Sequence, residues 1–316
     1  MKQACFVGFD TSNYTTSVAI CTEEGEVIAN LKEPLPVKAG ECGLRQSDAV
    51  FAHVRNLPGL MQRLRACLGE CEVRAVGCSA RPRTVEGSYM PCFLAGRAAA
   101  ESFAAALGVP VLEFSHQDGH VMAALYSSGE SERLLQDRFA AFHVSGGTTE
   151  ALSVTPRGDG FSIELIGETK DLNAGQAIDR VGVAMGLQFP CGKEMEQLAN
   201  TFAGKHPRPR ICVRDGNCHL SGLQNLAEGL WRKTRDSALV SAYVLDFVGE
   251  TLRAMTQAID EKYPDLPVLY AGGVMSNRRI QTLLGARKNT YFAEPQFSAD
   301  NAAGIALLCR RRFLQR

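Results

Sequence analysis

Two similar stretches decide the fold, FDTSNYTT at residues 9–16 and FHVSGGTT at residues 142–149. They agree at the phenylalanine, the serine and both threonines with one constant offset. Each follows an apolar run, supplies small polar residues for a turn, and continues into a second β-rich run. Chance could give such matches, since Ser and Thr are common in turns, but the shared strand–turn–strand context favours an internal duplication.

The flanking patterns alternate between strands and helices in both halves. In the first half we predict strands at 4–9, 16–21, 26–31, 73–78 and 109–114, and helices at 47–67 and 94–107. In the second half we predict strands at 161–166 and 266–270, and helices at 173–185, from 192, at 237–262 and at 302–313. This alternation predicts an α/β protein with two lobes and a cleft between them. The N-terminal lobe is placed at 1–130 plus 294–316, and the C-terminal lobe at 131–293.

Composition indicates a globular protein without a general affinity for nucleic acid. The chain has 316 residues, 45% of them hydrophobic, with 34 basic and 34 acidic side chains. This is enough apolar mass for a substantial core, and a net charge of zero argues against nonspecific nucleic-acid binding. Two basic runs, 205–210 and 310–312, are interpreted as a solvated loop and a solvated helix end, with a basic patch as the alternative.

The cysteines and the hydropathy pattern predict the compartment. Eleven cysteines are spaced irregularly and form no CxxC pair. The N-terminus does not resemble a signal peptide, and no apolar run approaches the ~18 residues that a membrane-spanning helix needs. We therefore expect reduced thiols, a cytoplasmic location and no membrane partner.

Two histidines four residues apart form a candidate metal site. Ser115 and Asp118 have the spacing of a capping box, which predicts that His116 and His120 lie on the first turns of one helix. Both imidazoles would then face the same side and could chelate one ion. The alternative is a chance surface pair, because a metal needs further ligands.

Two other residues could supply those ligands. His143 ends the strand before the glycine turn, and Asp300 precedes the last helix. The alternatives are a satisfied core histidine for His143 and a helix N-cap for Asp300.

The two turns themselves predict an anion site. Glycine lets backbone N–H groups approach a phosphate closely, and hydroxyl groups add donors, so Ser145, Gly146 and Gly147 are candidates. Asp10, in the opposing turn, could hold a cation or a water. Two ordinary hairpin turns are the alternative.

A third group of residues suits a ribose. Asp179, Gly192 and Glu196 place carboxylates near a glycine turn, where the two ribose hydroxyls would find acceptors. The alternative is a pair of exposed, solvated carboxylates. Asn277 could contact a base or the ribose, where glycines 272 and 273 permit close approach.

Together these motifs resemble the universal family that makes threonylcarbamoyladenosine in tRNA, once described as O-sialoglycoprotein endopeptidases. The matching motifs are FDTS at 9–12, HVR at 53–55, HQDGH at 116–120, VSGGT at 144–148, GET at 167–169, AGQAID at 174–179, LSGL at 220–223, AGGV at 271–274 and DNAA at 300–303. The resemblance implies the actin/Hsp70/sugar-kinase (ASKHA) fold, with duplicated lobes and a central nucleotide cleft.

The resemblance also implies roles for individual residues. One divalent metal ion, iron or zinc, would be bound by His116, His120 and Asp300, and His143 falls where some members place a tyrosine ligand. The nucleotide phosphate and acyl group would lie on His143, Val144, Ser145, Gly146 and Gly147. Ribose and adenine would be held by Asp179, Gly192, Glu196 and Asn277. Asp10 is predicted to be catalytic.

By this resemblance the protein is a metal-dependent transferase that moves a threonylcarbamoyl group from threonylcarbamoyl-AMP to N6 of adenosine in tRNA. Its expected partners are tRNA and either other threonylcarbamoylation proteins or a second copy of the chain. An endopeptidase is disfavoured, because HQDGH lacks the glutamate that HExxH proteases use as a general base.

Three segments depart from the bacterial pattern. The first turn lacks the two acids that bacterial members carry, residues 80–87 replace a Gly-Pro-Gly-Leu loop, and Cys191 and Lys193 replace a glycine and a proline. These changes leave two alternatives open. The chain could be a paralogue with a different acyl acceptor, or a non-catalytic nucleotide-binding partner within a modification complex.

Overall fold

The computed structural model describes residues 2–12, 14–36, 44–158, 160–298 and 301–315. The strands are β1 (Ala4–Thr11), β2 (Thr15–Thr22), β3 (Val27–Pro34), β4 (Glu72–Arg81), β5 (Val111–Ser115), β6 (Phe139–Val144), β7 (Thr149–Arg157), β8 (Gly160–Glu168), β9 (Cys212–Arg214), β10 (Asn217–His219), β11 (Val268–Ala271) and β12 (Thr290–Phe292). The helices are α1 (Gln46–Leu68), α2 (Phe93–Leu107), α3 (His116–Ser127), α4 (Ser131–Leu134), α5 (Ala174–Ala184), α6 (Gly192–Thr201), α7 (Ser221–Thr234), α8 (Ser237–Lys262), α9 (Arg278–Leu284), α10 (Pro295–Ser298) and α11 (Ala303–Leu314). A 3₁₀ turn covers Gly273–Ser276.

The chain divides into two compact units. The first contains Met1–Gly129, Pro156–Ser162 and Gln296–Arg316, and the second contains Glu130–Thr155 and Ile163–Pro295. The predicted lobes, 1–130 plus 294–316 and 131–293, differ from these units mainly at 156–162. None of the helices in the described part of the chain is both long and apolar enough to cross a membrane. The cysteines there are free thiols, as predicted.

The first unit is built on a sheet with strand order β3-β2-β1-β4-β5. β1 is antiparallel to β2 and parallel to β4. Side chains alternate across β1, so Val7 and Phe9 pack with Leu60 of α1 on one face. On the other face Gly8 lets α11 approach, because an added Cβ there would lie 2.5 Å from the Ala306 nitrogen.

The C-terminal basic run belongs to this packing. Arg312 places its guanidinium over the Phe114 ring, 4.1 Å from the ring centroid, and donates a 2.9 Å hydrogen bond to the Glu113 carbonyl. Arg310 donates to the Glu23 carbonyl. The expectation of a solvated helix end is therefore wrong for Arg312, whose side chain covers an aromatic ring and caps a backbone oxygen.

The second unit repeats the arrangement. Its sheet has the order β12-β11-β6-β7-β8, which matches the first sheet when β6 is equated with β1. The stretch at 9–16 joins β1 to β2, and the stretch at 142–149 joins β6 to β7. The predicted α/β fold with an internal duplication is confirmed.

Two strands begin two residues later than predicted. β5 begins at Val111 rather than residue 109, and β11 at Val268 rather than residue 266. In each case a proline precedes the strand, and proline has no N–H to donate to a ladder. α8 spans the predicted residues.

Candidate functional site

The predicted capping box fixes the histidine pair. Ser115 Oγ accepts a 3.1 Å hydrogen bond from the Asp118 N–H, and the Asp118 carboxylate accepts a 3.3 Å bond from the Ser115 N–H. The helix therefore starts at His116 and brings His120 onto the same face one turn later. The two Nε2 atoms lie 2.9 Å apart. Both can reach one ion at the ~2.0–2.1 Å of a metal–imidazole bond.

Asp10 orients the first histidine. The carboxylate is buried, with Oδ2 2.7 Å from His116 Nδ1 and Oδ1 accepting a 2.5 Å bond from Ser79 Oγ. A neutral His116 that donates from Nδ1 to this carboxylate keeps its lone pair on Nε2, which is the tautomer that binds a metal. Asp10 lies within β1 and not in the turn, so its predicted location is wrong. Its predicted role as a catalytic residue stays a prediction.

The further metal ligands also stay predictions. No three His, Cys, Asp or Glu side chains within the described ranges are grouped to hold a metal ion. Asp300 lies outside those ranges, and the N-cap position of α11 is Ala302. His143 lies on β6 in the second unit, where it is in register with Glu150 of β7.

Two glycines, Gly119 and Gly304, support the histidine helix. An added Cβ on Gly304 would lie 1.8 Å from the Gly119 carbonyl oxygen, and one on Gly119 would lie 2.9 Å from Ile305 Cδ1. α11 and α3 are thus in backbone-to-backbone contact at the turn that carries His116 and His120.

Gly304→Ala should therefore displace α11 from α3. We expect the free energy of unfolding to fall by about 1–3 kcal/mol, as for other overpacked sites, and metal content to fall with it. Thermal unfolding and elemental analysis of the purified variant measure both. The control is Gly229→Ala in α7, where an added Cβ meets nothing within 4 Å and a gain of up to about 1 kcal/mol is expected. A Gly304→Ala protein with unchanged stability and metal content would contradict this packing argument.

Five of the nine predicted nucleotide residues line one pocket of the second unit, and His143, Val144, Ser145 and Gly147 are not among its lining residues. A cavity of about 410 Å³ is lined by Gly146, Asp179, Gly192, Glu196 and Asn277, and its walls also include Gly175 and Lys193. This volume lies within the range of small-molecule sites. The residues come from the β6–β7 turn, α5, α6 and the start of α9.

The polar side chains of this pocket organise its walls. Asp179 Oδ1 accepts a 2.8 Å bond from the Cys191 N–H, and Glu196 Oε1 accepts a 2.6 Å bond from the Arg278 N–H. Burial raises the pKa of Asp179, and the bond from Cys191 opposes that rise. A carboxylate has several acceptor sites, so each can also accept from a ligand hydroxyl. Glu196 lies on the second turn of α6.

Asn277 has a structural role at the same place. Its Oδ1 accepts a 3.1 Å bond from the Ile280 N–H and caps α9. The cap fixes the direction of the first turn of α9, so Asn277 both lines the cavity and shapes it.

The glycine turn differs in detail from the prediction. Ser145 Oγ accepts from the N–H groups of Gly147 and Thr148, at 3.3 and 3.1 Å, so this hydroxyl closes the turn. Val144 is fully buried in the core, which leaves only its backbone for a ligand. Gly146 is the turn residue that lines the cavity.

Two of the segments that depart from the bacterial sequence pattern, Cys191 and the 80–87 loop, are held by local contacts. An added Cβ on Gly182 would lie 2.4 Å from the Cβ of Cys191, so the cysteine side chain fills the space above that glycine. The 80–87 loop is tied to α3, because Thr84 Oγ1 donates 2.9 Å to Asp118 Oδ2 and the Gln117 N–H donates 3.0 Å to the Pro82 carbonyl.

Solved structures share this fold. Full-length HypF in its phosphate- and nucleotide-bound form superposes with a TM-score of 0.57 at 13% identity, covering 98% of this chain and 46% of HypF. Component A of the (R)-2-hydroxyglutaryl-CoA dehydratase of Acidaminococcus fermentans gives 0.51 at 11% identity, covering 98% of both chains. At these identities the comparison shows the ASKHA fold alone.

Sequence comparison is more specific. The model of the tRNA N6-adenosine threonylcarbamoyltransferase family, TsaD, matches residues 38–307. The enzyme of that name from Streptococcus gordonii is 32% identical over 97% of this chain and 91% of its own length. The one from Streptococcus suis is 30% identical over 97% and 92%. With the motifs, the duplicated sheets and this match over most of its length, the chain belongs to the tRNA N6-adenosine threonylcarbamoyltransferase family of acyl-type transferases.

Proposed function

We propose that the chain transfers a threonylcarbamoyl group from threonylcarbamoyl-AMP to N6 of an adenosine in tRNA. The observation that carries this proposal is the second-unit pocket, where Gly146, Asp179, Gly192, Glu196 and Asn277 surround a cavity of nucleotide size. Family membership supports the acyl group and the acceptor.

The pocket residues divide the work of holding the adenylate. The carboxylates of Asp179 and Glu196 accept hydrogen bonds from the ribose hydroxyls. Gly146 presents backbone to the phosphate without a side chain in the way. In the reaction, N6 of the acceptor forms a bond to the carbamoyl carbon, the bond from that carbon to the phosphate oxygen breaks, and AMP leaves with the electron pair. N6 loses one proton, which passes to solvent.

The histidine pair fits a divalent metal ion, iron or zinc. His116 and His120 would hold it through Nε2, with Asp300 as the proposed carboxylate ligand. When bound, such an ion supplies Lewis acidity toward carbonyl or phosphoryl oxygens. The part of Asp10 is to hold the His116 ring and its tautomer through the 2.7 Å contact to Nδ1.

Glu196→Ala should weaken adenine nucleotide binding. Loss of a carboxylate that accepts a ribose hydroxyl is expected to cost about 1–3 kcal/mol, which calorimetry with AMP would detect. The Glu196→Gln variant keeps an oxygen that accepts from the Arg278 N–H, so the pocket wall is retained while the second acceptor oxygen is lost. A weaker affinity of this variant for AMP would therefore report on the ribose contact and not on the wall. Glu194→Ala is the matched control, because Glu194 is exposed on the same helix and does not line the cavity. Equal affinity for AMP and for its analogue lacking both ribose hydroxyls would contradict the assignment.

Complementation tests the function in the cell. Expression in a strain that lacks the essential tRNA threonylcarbamoyltransferase should restore growth and the modified nucleoside. The second candidate function, the same transfer to a different anionic acceptor, is favoured by Arg81 and Arg83 at the loop that is hydrogen-bonded to α3. Failure of a well-expressed, metal-loaded protein to rescue would favour that candidate.

A further inference from the structure

A basic segment connects α6 to the β9–β10 hairpin in the second unit. It covers residues 203–214, called the basic strap here, and contains four cations but no acidic residue. Lys205, Arg208, Arg210 and Arg214 are all exposed. Within the part of the chain that the structure describes, none of these four side chains forms an ion pair. Among the described residues, these four cations therefore have no carboxylate in direct contact.

The basic strap is nevertheless fixed in place. His206, within it, lies with Nε2 2.7 Å from Asp246 Oδ2 on α8. Arg279 of α9 holds the same carboxylate through two bonds, of 2.5 Å to Oδ1 and 2.7 Å to Oδ2. The imidazole also stacks on Phe202 and meets the edge of Tyr243. One side chain of the basic strap is thus anchored, while its four longer cations stay in solvent.

The backbone pattern presents the arginines on one face. Ile211 and Val213 pack against the core of the unit, and they alternate with the exposed Arg210 and Arg214. Side chains alternate along an extended chain, which advances about 3.3 Å per residue, so the Cα atoms of Arg210 and Arg214 are about 13 Å apart. Pro207 and Pro209 restrict the preceding backbone, which lowers the entropy lost when a partner binds.

The anchor also connects the basic strap to the nucleotide pocket. α6 begins at Gly192, which lines the pocket, and runs directly into the basic strap. α9 begins after Asn277, another pocket residue, and contributes Arg279 to the anchor. Two of the helices that line the pocket, α6 and α9, therefore also hold the basic strap.

We propose that the basic strap binds the sugar–phosphate backbone of tRNA beside the nucleotide pocket. Arginine forks match phosphate geometry, and four exposed cations in a chain of zero net charge favour a polyanion. The inference rests on the proposed function for the identity of the RNA. An acidic protein segment is the competing occupant, and the experiment below separates the two.

The test is binding of a fluorescent, unmodified tRNA transcript to the purified full chain at several salt concentrations. The variant is Arg208→Gln, Arg210→Gln and Arg214→Gln combined. The control combines Arg65→Gln, Arg157→Gln and Lys288→Gln, which removes three exposed cations elsewhere. We expect the strap variant to bind roughly 10-fold or more weakly near 0.1 M salt, and its log–log salt slope to fall by about 2–3. The tRNA affinity of the control should stay within about 2-fold of that of the parent at the same salt concentration.

Three outcomes would overturn the inference. In the first, the strap variant binds tRNA with the affinity and salt slope of the parent. In the second, the parent chain does not bind tRNA at low salt. In the third, polyglutamate displaces tRNA at a lower concentration of charged groups than a competing RNA needs. Arginine-dependent tRNA binding without threonylcarbamoyl transfer would support the basic strap and contradict the proposed function. A strap variant that modifies tRNA with an unchanged KM would overturn the proposed role of the basic strap and would leave the proposed transferase function unaffected.

Discussion

Replacing His116 and His120 together by alanine is expected to abolish stoichiometric metal binding, and transfer activity with it. The two Nε2 atoms are 2.9 Å apart and are the only paired imidazole donors among the described residues of the first unit. Without them a remaining carboxylate cannot hold iron or zinc, since both prefer imidazole nitrogen in sites of this kind. Elemental analysis after dialysis gives the readout directly and independently of activity.

A matched control removes an imidazole that is not part of the pair. His219 is exposed in the β9–β10 hairpin, 3.5 Å from Asp171, and His219→Ala should retain a full equivalent of metal. Circular dichroism would show whether the double variant is folded. A folded double variant that retains one equivalent of metal would rule out the site.

Gly175→Ala is expected to have the second largest effect, closing the nucleotide pocket. An added Cβ would lie 2.7 Å from both the nitrogen and the Cα of Gly146, and 2.8 Å from the Ser145 carbonyl carbon. All three are backbone atoms, so the glycine turn or α5 has to move. We expect the free energy of unfolding to fall by about 1–3 kcal/mol. We also expect the affinity for AMP to fall by an order of magnitude or more, because Gly146 lines the cavity.

The control for this variant is Gly222→Ala, which adds the same methyl group to α7 where nothing lies within 4 Å. Calorimetric titration with AMP and thermal unfolding of both variants provide the comparison. Parent-like AMP affinity in Gly175→Ala would show that the glycine turn does not shape the nucleotide site.

The features that could be predicted from the sequence are those with local signals. The two related stretches give the duplicated sheets, because each carries its own strand, turn and strand. The Ser115–Asp118 spacing gives the start of α3 and the common face of its histidines. α8 was predicted at both ends because its apolar periodicity is long and uninterrupted.

The features that could not be predicted depend on residues far apart in the chain. Gly304 meets Gly119, and Gly175 meets Gly146, through tertiary contacts for which no local pattern exists. α7 was not predicted, since Gly222 and Gly229 weaken its helical propensity. Asp10 was expected in a turn, but β1 extends through it and directs its carboxylate to His116.

The basic run at 205–210 shows that a charge pattern alone does not predict whether a loop is held in place. The sequence indicates a solvated loop, and its three cations together with Arg214 do not explain why the loop should be ordered. The anchor through His206, Asp246 and Arg279 joins three segments that are far apart in sequence, and only the structure brings them together.

The proposed transfer is tested most directly by a single-turnover assay of the metal-loaded chain with threonylcarbamoyl-AMP, with and without unmodified tRNA. Mass spectrometry would quantify both released AMP and modified adenosine in the digested tRNA. We expect AMP release to depend on tRNA and to be matched by an equal amount of threonylcarbamoyladenosine. AMP release without any modified adenosine, from a chain shown to hold metal and to bind nucleotide, would contradict it.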